Sequence, residues 1–318
     1  MPRFTHPLVA FARPAVPGAS APRLALGLLA GAVLVIGAVQ LSGVGLTATF
    51  GHLIPAGEAP VSSAAGMLML LATFAVIWPV LWLVLPLVHR RSARTLFGPE
   101  GRLNWRHFRL GLAVSVGVGI AAWAPFMVTR PDVVLQAPDP QMWALLAAIA
   151  VPLIFVQCAA EELVFRGYLL QQFAARSLSV LGWSVLPSVA FAYAHPTEAG
   201  VWGLSWFHFV FGLIMAAVTS RTANLGAATG LHVGHNVINL LLIAPTHQAA
   251  GLALFLVPEA VDTQGPRVTY LVVMFVGAAL FMGIMDLRFI RAWRAARRAE
   301  VAAQDDAPAT PPRPMAAE

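Results

Sequence analysis

Eight stretches of at least 18 residues run without an Asp, Glu, Lys or Arg: 24 to 57, 59 to 89, 110 to 129, 140 to 160, 177 to 197, 199 to 220, 222 to 258 and 268 to 285. Crossing the hydrocarbon of a bilayer takes about 20 residues of helix. Each stretch therefore predicts one membrane span. The pattern predicts an all-α polytopic membrane protein, a bundle of about eight transmembrane helices; any polar residues within it would line a buried cavity.

Composition agrees. Of 318 residues, 58% are hydrophobic and 11% charged, against about 45–50% and about 25% in soluble domains, which excludes an ordinary water-soluble globule. The net charge of +6 raises nucleic acid as a partner. The basic residues, however, lie between and beyond the apolar stretches and form no interleaved basic-aromatic surface. The expected partner is the lipid bilayer, with no nucleic acid. All 20 basic residues are Arg; with span ends on alternating sides, 18 fall on one side and only Arg130 and Arg267 on the other. The positive-inside rule then makes both termini cytoplasmic. An all-Arg, Ala-rich chain points to a GC-rich, bacterial genome, so the expected location is a multi-pass position in the bacterial plasma membrane.

Three regions are expected. Residues 1–23 form a cytoplasmic N-terminal arm that lacks the apolar core of a signal peptide. Residues 24–298 form the transmembrane helical domain, with its polar residues concentrated in the second half. Residues 299–318, rich in Ala and Pro, form a disordered C-terminal tail. The single cysteine, Cys158, can form no intrachain disulfide and has no partner for a thiolate metal site; it reads as a small buried apolar residue.

Charge inside a span costs about 2.5–3.5 kcal/mol at a helix centre on insertion scales, so an ionisable residue there marks a functional site by default. Spans 1 to 3 and 8 hold essentially none in their interiors and read as scaffold. Residues 157 to 239 hold Glu161, Glu162, Arg166, His195, His208, His232, His235, Asn236 and Asn239.

Span 4 runs on past charge. Glu162 and Arg166 stand at i,i+4, the acid-before-base order that favours a pair, and Glu161 points elsewhere. With Glu162 neutralised, Glu161 is the carboxylate free to accept a proton or bind a metal. An ion-pair cluster at a helix end is the plainer alternative. His195 closes span 5; in an antiparallel hairpin centred on Leu178 it and Glu161 each lie 17 residues from the turn, roughly 25 Å along each helix. Span 7, residues 224 to 244, offers two overlapping i,i+4 pairs, His232 with Asn236 and His235 with Asn239. Either lines a cavity or joins a structural hydrogen-bond network between helices. His232 lies only about 16 Å along its helix from Arg221, so the levels match if the hairpin of spans 4 and 5 protrudes about 9 Å further. His208 has no partner at a telling spacing and reads as structural or pore-lining.

A carboxylate, two imidazoles and an amide can activate water, bind a divalent ion or stabilise an oxyanion. That is equipment for peptide-bond hydrolysis. No serine elbow, Gly-rich phosphate loop or HExxH motif competes with it.

At these residues the chain resembles the CAAX protease and bacteriocin-processing (CPBP, or Abi) family of intramembrane proteases, which includes the type II CAAX prenyl endopeptidases. The motif EExxxR followed by Gly stands as Glu161, Glu162, Arg166 and Gly167. FxxxH stands as Phe191 and His195, and HxxxN as His232 and Asn236. The resemblance covers roughly 143 to 246 and implies that Glu161 and His195 activate water, that His232 and Asn236 polarise the carbonyl and hold the oxyanion, and that Glu162 and Arg166 support them. It implies an intramembrane endopeptidase acting on a CAAX-type, membrane-associated or lipidated substrate. The water is either bound to a metal, with Zn2+ held by Glu161, His195 and His232, or activated by Glu and His alone. His235 departs from the family, where an aromatic residue often stands, and Leu231 before His232 favours the first register. A non-proteolytic immunity or scaffold protein of the same family is the alternative. A transporter is the third reading, but no inverted repeat supports it.

Overall fold

The long charge-free stretches fold as helices because a backbone in lipid must satisfy its hydrogen bonds within its own segment. The computed structural model describes residues 6–129, 133–136, 139–195, 203–245, 250–257 and 271–288. A short helix α1 (Pro7–Ala12) precedes α2 (Ala21–Phe50), and α3 (Ala64–Thr73) runs through one 3-10 turn into α4 (Ile77–His89). Next come α5 (Trp105–Thr129) and α6 (Pro140–Glu162). The latter continues through a π-helical stretch, Leu163–Leu170, into α7 (Gln171–Ala174). A π-helical turn, Leu181–Val185, leads into α8 (Leu186–Tyr193), followed by α9 (Trp206–Thr222), α10 (Gly226–Val237) and α11 (Leu271–Arg288).

Each of the eight apolar stretches thus holds a helix. Five are long and apolar enough to cross a membrane: Ala21–Leu53, Ala64–His89, Trp105–Ala124, Pro140–Ala174 and Leu271–Arg288. The other three are shorter, and they are the ones that carry the polar residues of spans 5 to 7. The stretch 222–258 is not one span. Its helical part ends at Leu242, and the chain turns into β2 (Ile243–Pro245), which pairs parallel with β3 (Phe255–Val257); β1 (Val134–Leu135) pairs antiparallel on the other side of β3. Pro245 has no N–H to continue a helix and restricts the residue before it. Hydropathy alone could not register that break.

The described part of the N-terminal arm, 6–23, is folded. Leu8, Phe11 and Ala12 are buried in one cluster with Leu81, Leu85, Leu170 and Ala174. The chain divides into two compact units, 1–278 and 279–318. The described part of the second, 279–288, belongs to α11; the expected C-terminal tail, 299–318, lies outside the described residues.

Two devices fix α10, on which the site depends. Asn224 clamps its start: Oδ1 accepts from the N–H groups of Gly226 and Asn104, at 2.8 and 2.9 Å, and Nδ2 donates to Arg102 O at 2.9 Å. Gly226, Gly230 and Gly234 then form an i,i+4 stripe. A Cβ on Gly230 would collide with the Phe108 carbonyl oxygen, and one on Gly234 would stand 2.6 Å from Ser115 Cβ on α5. Small residues that let backbones approach hold helices together where lipid gives no hydrophobic push. His232 lies two residues, about 200°, around from Gly230, on the side of α10 turned away from α5.

Candidate active site

The helical run goes on past the charges at the end of α6, through Leu163–Leu170, because Glu, Leu and Arg are good helix formers. Glu161 and Glu162 are the last residues of α6, and the π-helical stretch that follows is a rare geometry frequent at functional sites. Arg166, within that stretch, donates from Nη1 to Glu162 Oε1 at 3.1 Å. Its guanidinium lies over the Phe191 ring, 4.4 Å from the centroid. Neither Glu162 nor Arg166 is more than 1% exposed, so the charges are met by each other and by the ring's negative face.

Glu161 lies at the meeting of three helices. Its Oε1 accepts from Gln157 Nε2 at 2.7 Å and stands 3.7 Å from His195 Nε2. Its Oε2 stands 3.6 Å from His232 Nε2 and has no hydrogen-bond partner, although it is buried. Glu161, His195 and His232 are therefore at one level, whatever their distances along their own helices.

Hydrogen bonds on the far side of each ring fix which nitrogen carries hydrogen. His195 Nδ1 lies 2.8 Å from the Phe191 carbonyl oxygen, which only accepts, so Nδ1 must donate. His232 Nδ1 lies 2.9 Å from Glu162 Oε1, a carboxylate oxygen held by Arg166, and donates likewise. In neutral rings both Nε2 atoms then turn a lone pair toward Glu161. Two carboxylates and one guanidinium leave one negative charge uncompensated in a buried cluster. One further proton, on Glu161, His195 or His232, makes it neutral.

Asn236 donates from Nδ2 to Gln157 Oε1 at 2.9 Å and to Cys158 Sγ at 3.3 Å. The second register goes elsewhere: Asn239 bonds to His235 Nε2 at 2.8 Å, and His235 stacks on Phe207. His232 with Asn236 is thus the pair brought to the glutamates. The His195 side chain is more open than those of Glu161 and His232, at 22% exposed against 6% and 4%.

Several residues of the cluster escape a reading by motif. Gln157, four residues before Glu161, joins Glu161 to Asn236; an amide one turn before a carboxylate in an apolar run was the available signal. Cys158 is buried, as expected, but hydrogen-bonded within the cluster. His208 stacks on His195, ring centroids 4.0 Å apart and planes 15° off parallel, and Ser205 Oγ lies 2.7 Å from its Nδ1. No sequence spacing links α8 to α9, so that stack is tertiary information only.

Glu161, His195 and His232 have the donor chemistry of a zinc site. Yet the two imidazoles face different oxygens of the carboxylate. Among the described residues no group of three or more His, Cys, Asp or Glu is placed to hold a metal ion, and zinc enters no step below.

Residues 141–238 match the family model described as type II CAAX prenyl endopeptidase Rce1-like. The uncharacterised protein YyaK of Bacillus subtilis (strain 168) is 27% identical over 180 residues, which cover 54% of this chain and 60% of that protein. The match therefore reaches less than two thirds of the relative's length. No solved structure matches. The chain is an integral membrane protein in which the segment that builds the Glu161–His195–His232 cluster, residues 141–238, is Rce1-like.

Proposed function

We propose that the protein is an intramembrane endopeptidase that hydrolyses a peptide bond in a membrane-associated substrate, with water activated by Glu161 and His195. The observation that carries this is the pair of acceptors, Glu161 Oε1 and His195 Nε2, standing 3.7 Å apart. A water at ordinary hydrogen-bond length of about 2.8 Å from both gives one hydrogen to each acceptor. Its lone pairs are then left for a carbonyl carbon. Glu161 takes the proton, the water oxygen bonds to the carbon, and the carbonyl π pair moves onto oxygen. The C–N bond then breaks as that proton passes to the leaving nitrogen.

Arg166 and Glu162 hold His232 through Nδ1, and His232 Nε2, beside Glu161, can carry the cluster's extra proton and donate it as a hydrogen bond to the oxyanion. The Rce1-like match and the membrane setting support a lipidated or CAAX-type substrate, presented from the cytoplasmic side if the arginine-rich side is the inner one.

The test is cleavage of a panel of membrane-anchored peptides, prenylated and not, by purified detergent-solubilised protein beside Glu161→Gln. Cleavage that needs Glu161 and survives a strong zinc chelator supports the reading. Loss of cleavage with chelator would return the water to an ion. Inactivity of folded protein across the panel would favour an immunity or scaffold role.

A further inference from the structure

The amide of Gln157, 6% exposed, lies between the group that takes the proton and a group assigned to the oxyanion. Its nitrogen donates to Glu161 Oε1 at 2.7 Å, and its oxygen accepts from Asn236 Nδ2 at 2.9 Å. An amide has a donor end and an acceptor end. While Glu161 is ionised, only the donor end can face it, so the acceptor end must face Asn236, which has to present its nitrogen in turn. That nitrogen also reaches Cys158 Sγ at 3.3 Å. Both hydrogens of the Asn236 amide are thus directed to α6. An oxyanion needs a donor, and in this state Asn236 has none to spare.

We propose that Gln157 is a positioning residue that couples the proton on Glu161 to the orientation of Asn236, a role that rests on the protease reading above. When the O–H bond of the attacking water breaks, its proton bonds to Glu161 Oε1, its oxygen bonds to the carbonyl carbon, and the π pair becomes the oxyanion's charge. Protonated Glu161 is now a donor. The Gln157 amide turns over to accept from it and offers its own nitrogen to Asn236 Oδ1; Asn236 turns over in the same way and releases Nδ2 to the oxyanion. The two rotations make and break no covalent bond and exchange groups of equal size, so no backbone has to move. Delivery of the proton from Glu161 to the leaving nitrogen resets the chain.

The experiment measures kcat and KM on a peptide that the wild type cleaves, for Gln157→Met, Gln157→Glu, Asn236→Ala and the double variant Gln157→Met/Asn236→Ala. Met keeps the length of Gln, and Glu keeps its shape while offering acceptors at both ends. Expected is a kcat lower by about 10²–10³-fold in Gln157→Glu, which accepts from Asn236 in every state, the size of losing one oxyanion donor, and a smaller loss in Gln157→Met, which leaves Asn236 unoriented, with KM changed by no more than about 2-fold in both. The double variant should be no slower than the slower single, as for residues that act as a unit. Wild-type kcat in either Gln157 variant, a loss confined to KM, or multiplied losses in the double variant would each overturn the proposal. Absence of Glu161-dependent cleavage by the wild type would overturn the protease reading and this proposal with it. The wild-type control therefore tells the two failures apart.

Discussion

α2 and α10 are both apolar helices without an acidic residue, and they have opposite surroundings. Of the 30 residues of α2 only Gly27 is buried, and Leu29, Ile36 and Leu41 stand 66%, 61% and 75% exposed. Of the 12 residues of α10, ten are buried, from Gly226 to His235. Hydrophobicity does not decide which helix goes inside, since lipid tails are as apolar as Leu. Polar partners and close backbone approach do. The imidazoles of α10 find partners only within protein, and Gly230 and Gly234 sit directly against α5. α2 has no imidazole, and although it carries five glycines, nothing lies within 4 Å of a Cβ built at Gly31, Gly37, Gly43 or Gly45.

Substitutions that break this contrast should order themselves by how much of the α10 surroundings they disturb. Glu161→Gln, opposite His232, should lower the cleavage rate by about 10³–10⁴-fold, the upper range for loss of a general base, and leave the unfolding temperature near that of the wild type because the shape is kept. Arg166→Ala leaves Glu162 buried with an uncompensated charge, at a cost of about 3–5 kcal/mol. It should appear as a marked fall in unfolding temperature in detergent, together with lost activity.

Gly230→Leu drives a side chain into the Phe108 carbonyl and should cost at least about 1–3 kcal/mol; cleavage should fall too, because His232 and Asn236 move with α10. Gly37→Leu on α2, where nothing lies within 4 Å, is its counterpart. It should be neutral or slightly stabilising, since Gly is the poorer helix former by up to about 1 kcal/mol. Smallest of all, Leu41→Ala on α2 should change stability by no more than about 0.5 kcal/mol, as for surface positions without special features. Equal effects for Gly230→Leu and Gly37→Leu in thermal unfolding would sink the distinction between the two helices.

The helical segments were legible from charge-free length, and spans 1 to 4 and 8 fold as the five long helices. Span 7, read as 224 to 244 within the charge-free run 222 to 258, ends within two residues of the helix, which stops at Leu242 before β2. The N-terminal arm carried a hidden signal: Leu8, Phe11 and Ala12 stand at i, i+3 and i+4, one helical face, and that face is the one buried. At the site, Glu162 with Arg166 could be paired because the helix period alone brings i and i+4 together.

Residue order alone places the chain in a membrane, marks the residues that cannot face lipid, and tells which of them share a face of one helix. The period of 3.6 residues fixes those relations before any tertiary contact forms. How the faces are rotated against one another comes from packing between helices: His232 rather than His235 toward Glu161, Gln157 between Glu161 and Asn236, and His208 flat against His195. Rotation between helices follows from how closely backbones can approach. Here Gly230 and Gly234 lie against α5 and turn the opposite side of α10 toward the glutamates of α6.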